Sequence, residues 1–218
     1  MRHFLKELDE LQNRLLEMGG LVEASIHESV LALTERRARR TESVWGNEAR
    51  INRLEIEIDE LAIRLLALQQ PIAGDLRFIA AAIKINTDLE RMGDLAVNIA
   101  QRTVALIEKP ATKISADIHR MAVFTEEMVR KCLDAFVRRD PELAREVLLS
   151  DDRVDKLRTS IYRDAIEFMS QDSGAIAEGV DLILISRHLE RIADHATNIA
   201  EDTLYLVRGV DVRHHAEM

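Results

Sequence analysis

The second half of this chain repeats the first half, and the repeat limits the folds that the chain can adopt. Residues 85–106 align with residues 185–206 at an offset of one hundred positions, and 11 of the 22 positions are identical. Nearer the start of each half the offset becomes 103, so that Val44 matches Val147 and Leu54 matches Leu157. Because a duplicated segment folds in the same way twice, the sequence predicts two similar units in tandem.

Apolar residues recur every three or four positions through nearly the whole chain, a pattern that is typical of amphipathic helices. Proline interrupts the pattern at Gln70-Pro71, Lys109-Pro110 and Asp140-Pro141, where a helix must end or begin. The spacing predicts six helices, near residues 4–39, 41–70, 73–107, 114–139, 141–170 and 175–208. We expect Thr41 to cap the second helix and Asp140 to cap the fifth.

The predicted fold is therefore all-α, with two tandem and structurally similar three-helix bundles. Their boundaries are expected at residues 1–109 and 112–208, followed by a short tail at 209–218. Four arginines stand where the first helix should end, at Arg36, Arg37, Arg39 and Arg40. Such a cluster is predicted to pair with a helix C-terminus, and a docking patch for an acidic partner is the alternative.

Composition and charge argue against several classes of protein. The 39 acidic residues outnumber the 30 Lys and Arg residues, for a net charge of -9, which disfavours nucleic-acid binding. The longest stretch without charge, residues 65–74, is far shorter than the roughly 20 residues of a membrane span. We expect a cytoplasmic protein without membrane insertion. Its single cysteine, Cys132, is predicted to be buried.

Acidic pairs recur in the best-preserved part of the repeat. Glu90 and Asp94 lie one helical turn apart, opposite the apolar side of the third helix, and Glu190 and Asp194 occupy the same positions in the second half. Adjacent carboxylates repel each other in an isolated helix, but they are suitable oxygen ligands for a metal ion.

The neighbouring helix of each half supplies further candidate ligands. The second helix carries Glu48, Asn52, Glu55 and Asp59 along one flank, and the fifth helix carries Asp151 and Asp155. At the positions of Glu55 and Asp59 the second half has Arg158 and Tyr162, so the two sites should differ. His188 and His195 are candidate nitrogen ligands in the second half. The alternative is that these acidic faces are simply solvated, with Arg91 and Arg191 as neutralising neighbours.

Catalytic motifs are absent from the sequence. It contains no Gly-rich phosphate loop, no Gly-x-Ser-x-Gly elbow and no His-Glu-x-x-His. A ferritin-like di-iron oxidase would need Glu-x-x-His pairs inside a bundle, and the chain has none. We therefore expect that the protein is not an enzyme.

Three separated motifs resemble the PhoU family, the accessory proteins of bacterial phosphate-specific transport. They are Met-Gly-Gly-Leu-Val-Glu at 18–23, Leu-Gln-Gln-Pro-Ile-Ala-Gly-Asp-Leu-Arg at 68–77 and Asp-Leu-Glu-Arg-Met-Gly-Asp-Leu-Ala-Val-Asn-Ile-Ala at 88–100. The resemblance covers almost the whole chain, including the repeat. It implies two similar three-helix bundles, and some members of the family bind multinuclear iron or other metal clusters on the bundle surface.

The family's metal motif, an acid followed four residues later by Asp, maps onto particular positions here. It matches Glu90 with Asp94, Glu190 with Asp194, and Asp151 with Asp155. At the fourth copy Glu48 is followed by Asn52, which departs from the motif. The expected cofactor is therefore a metal, with multinuclear iron first and zinc, nickel, manganese or magnesium as alternatives.

The resemblance also implies a regulatory function. When phosphate is plentiful, such a protein restrains the high-affinity phosphate importer and the phosphate-starvation two-component response. The implied partners are the importer's ATPase subunit, the phosphate-sensing histidine kinase and a second copy of the chain in a homodimer, with peripheral membrane association through them. The alternative function is metal storage or sensing by a helical protein without a direct transporter role.

Overall fold

The chain forms six α-helices, two short 3-10 segments and no strand in the part that its computed structural model describes, residues 2–108 and 116–209. The helices are α1 Arg2–Glu35, α2 Thr41–Gln69, α3 Ala73–Ile107, α4 Ala116–Arg138, α5 Pro141–Gln171 and α6 Ile176–Arg208. The all-α prediction is confirmed. The expected boundary at 109–112 and residues 210–218 of the expected tail lie outside the described residues.

Helix ends follow local chemistry at Asp140 but not at Thr41. The Asp140 carboxylate accepts hydrogen bonds from the amides of Glu142 and Leu143, at 3.0 and 3.2 Å, and Pro141 begins α5 as predicted. The prediction that Thr41 caps α2 is wrong. A 3-10 segment, Ala38–Arg40, leads directly into α2, so Thr41 is already helical and its hydroxyl donates to the Ala38 carbonyl. An N-cap residue needs an extended backbone, and Thr41 has a helical one instead, with φ -69° and ψ -17°.

The arginine cluster pairs with a helix C-terminus, though not with that of its own helix. Arg36 donates from Nη2 to the carbonyls of Leu106 and Ile107, at 3.2 and 3.3 Å, where α3 ends. Arg40 forms ion pairs with Glu28 and Glu35. The first helix ends at Glu35 instead of near residue 39, because the backbone of Arg36 is left-handed, with φ 53°.

The helices pack as two three-helix bundles, α1–α3 and α4–α6, which meet mainly through α3 and α6. The ion pairs Lys84–Asp202 and Arg102–Asp181 show that α3 and α6 run antiparallel. A smaller contact joins α1 to α4. Each bundle therefore presents the last helix of its repeat to the other.

The central position of α3 and α6 accounts for the apolar residues that the two repeats share there. Each of these helices packs on two helices of its own bundle and on the other bundle, so residues on most of its circumference are buried. Burial of that much apolar surface restricts substitution, because close-packed interiors tolerate few changes in volume. Cys132 of α4 is fully buried, as predicted, and its thiol lies 3.1 Å from the Val129 carbonyl.

No helix in the described part of the chain has the length and apolar character required to cross a membrane.

Candidate functional site

The first bundle brings four of the predicted acidic residues together on the surface shared by α2 and α3. Their charges are close enough to affect one another's pKa values. Burial and the neighbouring charges of Asp94 and Glu55 raise the pKa of Glu90 to about 6. Burial, Asp59 and Asp94 also raise the pKa of Glu55. The arrangement concentrates negative charge that would be stabilised by a proton or a cation.

Asn86 connects the two helices beneath this cluster. Its Nδ2 atom donates to the Glu55 backbone carbonyl at 3.0 Å and to Asp59 Oδ1 at 2.9 Å. The residue is fully buried, and its Oδ1 atom has no hydrogen-bond partner among the described residues. Sequence reasoning missed Asn86, although Asn86, Glu90 and Asp94 continue one four-residue spacing along α3.

Carboxylate oxygens and the unpaired amide oxygen of Asn86 are the kinds of ligand that suit a hard or borderline cation. In residue type the first bundle therefore suits the metal that the family resemblance implies, and the carboxylates would have to turn toward a common point to hold it. They would supply oxygen ligands only.

The second bundle brings together a different set of acids from α5 and α6. Burial comes first among the causes that raise the pKa of Asp151 to about 6, followed by the charges of Asp155 and Asp194. Burial and Asp155 likewise raise the pKa of Asp194. The prediction that Asp151 and Asp155 approach the acids of the sixth helix agrees with these interactions.

An arginine lies within the acidic face of the second bundle. Arg158 Nη1 lies 2.9 Å from Glu190 Oε1 and forms an ion pair with it. Burial nevertheless raises the pKa of Glu190, against the lowering effect of Arg158. Because Arg158 stands where the first bundle has Glu55, the two faces differ in charge, in agreement with the sequence expectation.

Glu48 and Asn52 lie further toward the start of α2. Glu48 is half-buried and Asn52 is exposed, and among the described residues neither forms a hydrogen bond or ion pair with the cluster. Their counterparts in the second bundle, Asp151 and Asp155, do interact with α6. In the side-chain conformations of the described residues, no three or more His, Cys, Asp or Glu are arranged to hold a metal ion.

His195 belongs to the contact between the bundles. Its Nδ1 atom lies 2.8 Å from Asp88 Oδ1, and both residues are buried. Asn198 also donates to Asp88, at 3.3 Å. These contacts give His195 a structural role in joining α6 to α3, in place of the nitrogen ligand that the sequence suggested. The sequence signal that was available is the exchange of residue type at this repeat position, Leu95 in one half and His195 in the other.

His188 lies among positive charges. Burial lowers its pKa first, followed by the charges of Arg102, Arg191 and Arg187. Its Nδ1 atom is buried and lacks a hydrogen-bond partner among the described residues. These surroundings disfavour a bound cation beside it.

Comparison with known proteins places this geometry in context. The sequence profile of the PhoU domain matches residues 15–103 and residues 118–203, one match in each bundle. A phosphate-specific transport system accessory protein PhoU homolog of Pseudomonas aeruginosa is 39% identical over 98% of this chain and 88% of its own length. The homolog of the same description in Aquifex aeolicus is 39% identical over 96% of this chain and 95% of its own length.

Solved structures show the same arrangement of helices. The crystal structure of PhoU from Pseudomonas aeruginosa superposes with a TM-score of 0.92 at 38% identity, covering 95% of this chain and all of the solved chain. The phosphate transport system regulatory protein PhoU from Streptococcus pneumoniae gives a TM-score of 0.88 at 31% identity, covering 96% and 99% of the two chains.

Proposed function

Since the chain belongs to the PhoU family, we propose that it regulates phosphate uptake and phosphate homeostasis. It restrains the high-affinity phosphate importer and the phosphate-starvation two-component response when phosphate is plentiful. The observation that carries this proposal is the match of both repeats, at nearly full length, to relatives named as accessory proteins of phosphate-specific transport.

The proposed mode of action is protein contact from the cytoplasmic side, without catalysis. The partners are the ATPase subunit of the importer, the phosphate-sensing histidine kinase and a second copy of this chain in a homodimer. Six long helices offer extended, rigid surfaces for such contacts. The net charge of -9 supports a protein partner over nucleic acid.

Deletion of the gene in its own host tests the regulatory proposal. We expect higher expression of starvation genes and greater phosphate accumulation in phosphate-rich medium. A plasmid copy of the gene should return both to wild-type levels. Affinity capture from phosphate-replete cells should recover importer and kinase subunits. A deletion strain that matches wild type in both measurements, in a host without a second copy, contradicts the proposal.

We also propose that the acidic faces bind metal ions, with multinuclear iron as the first expectation. In the first bundle Glu55, Asp59, Glu90 and Asp94 would provide the ligands, and their mutual repulsion supports the proposal. Cation binding would relieve that repulsion and stabilise the folded chain by mass action. Glu48 and Asn52 complete the proposed set, and a bound ion requires these side chains and the four carboxylates to turn toward it.

In the second bundle the proposed ligands are Asp151, Asp155, Glu190 and Asp194. Here Arg158 already neutralises Glu190, so a cation must compete with the guanidinium group for this carboxylate. We therefore expect weaker metal binding in the second bundle than in the first.

Metal analysis of protein purified without an affinity tag tests both sites. Exchange of Glu90 and Asp94 for Gln and Asn should remove more metal than the matched exchange of Glu190 and Asp194. Circular dichroism should show intact helices in both variants. Equal metal content in the wild type and both variants, without a change in melting temperature on chelation, contradicts metal binding at these faces.

Metal storage or sensing without a transporter role is the second candidate function, favoured by the clustering of carboxylates in both bundles. The affinity capture described above separates the two candidates, because storage or sensing alone predicts that no importer subunit is recovered.

A further inference from the structure

A pocket between α5 and α6 of the second bundle carries an unusual concentration of arginine. It has a volume of about 500 Å³, and its walls include Arg158, Arg187 and Arg191. Glu190 and Asp194 line the same pocket, so three positive side chains face two negative ones. The pocket therefore has a net positive lining within a chain whose overall charge is -9.

Two of the three guanidinium groups are available to a ligand. Among the residues that the structure describes, Arg187 and Arg191 form no hydrogen bond or ion pair, and both are exposed at the pocket. Only Arg158 is engaged, through its ion pair with Glu190. A guanidinium group presents several donors in a fixed plane and binds phosphate or carboxylate oxygens in pairs.

The repeat shows that this pocket is not a general property of the fold. The first-bundle residues at the positions of Arg158, Tyr162 and Arg187 are Glu55, Asp59 and Thr87. Two acids and a neutral residue therefore stand where the second bundle has two arginines and a tyrosine. The second bundle therefore offers an anion three arginines at this surface, whereas the matching first-bundle positions carry Glu55, Thr87 and Arg91.

We propose that the pocket formed by Arg158, Arg187 and Arg191 binds a phosphoryl group. Three guanidinium groups provide more donors than the two oxygens of a single carboxylate can accept, whereas a tetrahedral phosphoryl group offers oxygens in several directions. The inference extends the proposed regulatory function but does not depend on it, because ligand binding is measured on the purified chain.

The two carboxylates in the wall select among oxyanions. Glu190 and Asp194 repel a fully ionised anion, but each can accept a hydrogen bond from a P–OH group. Inorganic phosphate near neutral pH carries such a proton, and sulfate does not. The pocket therefore distinguishes phosphate from sulfate through groups that would otherwise only weaken anion binding.

The size of the pocket leaves two sources for the phosphoryl group. A volume of about 500 Å³ lies in the range of sites for small organic ligands, and Ile183 and Tyr162 give part of the lining apolar or aromatic character. Free inorganic phosphate and a phosphate monoester share the chemistry that the arginines recognise. With free phosphate the rest of the pocket would contain water, whereas with a monoester it would contain the organic group.

Isothermal titration calorimetry on the full chain, in buffer with EDTA, tests the proposal with inorganic phosphate, sulfate and AMP as probes. The titrations are run near pH 6, because the second pKa of a phosphate monoester is about 6 and a large share of AMP then carries a P–OH group. Under these conditions we expect phosphate or AMP to bind at least tenfold more tightly than sulfate. Binding of phosphate identifies the free ion as a ligand, and binding of AMP alone identifies an organic monoester. EDTA removes bridging cations, so failure of the proposed metal sites does not affect the result.

Three variants make the result specific to this pocket. Arg187→Gln and Arg191→Gln together should weaken binding at least tenfold, whereas the repeat-matched control Arg91→Gln should leave it unchanged. Glu190→Gln should reduce the discrimination between phosphate and sulfate, an effect that a general loss of structure would not produce. The proposal is overturned if neither phosphoryl probe binds, if sulfate binds equally well, or if the double variant binds like wild type.

Discussion

At the scale of single residues, the ionisation of Glu90 makes the stability of the protein depend on pH. Its carboxyl group shares the α2–α3 surface with Asp94 and Glu55, and its pKa rises to about 6. A carboxyl group with a higher pKa in the folded state binds its proton more tightly when folded. Ionisation of Glu90 therefore opposes folding at neutral pH unless a cation is present.

The pH dependence of stability follows from the sign of this shift. In EDTA, protonation of Glu90 should increase the stability of the folded protein as the pH falls below about 6, the pKa of Glu90 in the folded state. This gain should reach its full size below 4.5, the ordinary pKa of a glutamate. Glu90→Gln should therefore melt at a higher temperature than wild type at pH 7, with a smaller difference at pH 4.5. Thermal denaturation followed by circular dichroism measures both melting temperatures.

Glu190→Gln is the matched control for Glu90→Gln. Its melting temperature should rise less, because the substitution also removes the ion pair with Arg158. A lower melting temperature for Glu90→Gln at pH 7 in EDTA would contradict this account.

The buried pair of Asp88 and His195 stabilises the contact between the bundles. Removal of either partner leaves a buried polar group without its hydrogen bond, which costs about 1–3 kcal/mol. We expect Asp88→Ala and His195→Ala each to lower the free energy of unfolding by about this amount. The double variant should lose less unfolding free energy than the sum of the two single variants, because the first substitution has already removed the hydrogen bond.

Urea denaturation of the wild type, the two single variants and the double variant completes this cycle. Thr87→Ala is a suitable control, because the Thr87 hydroxyl donates to the Ile83 carbonyl of its own helix. Its effect should stay within about 0.5 kcal/mol. Strict additivity of Asp88→Ala and His195→Ala would show that the two side chains do not interact in solution.

At the scale of helices, local sequence decides where an element begins only when the backbone arrives in the right conformation. Asp140 is extended, with φ -96° and ψ 105°, and its carboxylate caps α5. Arg40, which precedes Thr41, has helical angles of φ -63° and ψ -27°. The same class of capping residue therefore acts as a cap at one helix and as an interior residue at the other.

Substitution of Asp140 should show what the cap at the start of α5 contributes. Asp140→Ala removes the acceptor for two amides and should destabilise the protein by about 0.5–2 kcal/mol, whereas Asp140→Asn should retain most of the stability. Chemical denaturation monitored by circular dichroism provides the measurement. If Asp140→Ala and Asp140→Asn are equally stable, the observed hydrogen bonds at the start of α5 do not contribute to folding.

At the scale of the whole molecule, α3 and α6 each belong to the core of one bundle and to the contact between the two. Asp88, Lys84 and Arg102 of α3 all reach partners on α6. Loss of one bundle would therefore uncover the central helix of the other. This shared burial predicts that the two bundles unfold together.

Differential scanning calorimetry should show one transition for the full chain, with equal calorimetric and van't Hoff enthalpies. Asp88→Ala should shift that single transition downward by about 2–4 °C for each kcal/mol lost. Two resolved transitions in the wild type would show that the bundles are energetically independent. A split transition in Asp88→Ala alone would instead show that this pair couples them.

The sequence by itself determined the repeating framework. Six helices, the proline-defined C-terminal end of α2, the start of α5 and the outward position of Glu90 and Asp94 all follow from periodicity and local chemistry. These features depend on contacts within a few residues along the chain, where the spacing of side chains on a helix is fixed by its geometry. The difference between Glu55 and Arg158 was also readable, because the repeat aligns the two positions.

Only the tertiary structure decided which side chains meet. Asn86 reaching Asp59, Asp88 reaching His195, and Arg36 binding the end of α3 all join residues from different helices. The arginine pocket depends in the same way on the packing of α5 against α6. Periodicity identifies the face of a helix but not the rotation and crossing of its neighbour. Those are set by close packing of the whole core, so residues with identical spacing in the two repeats acquire different partners.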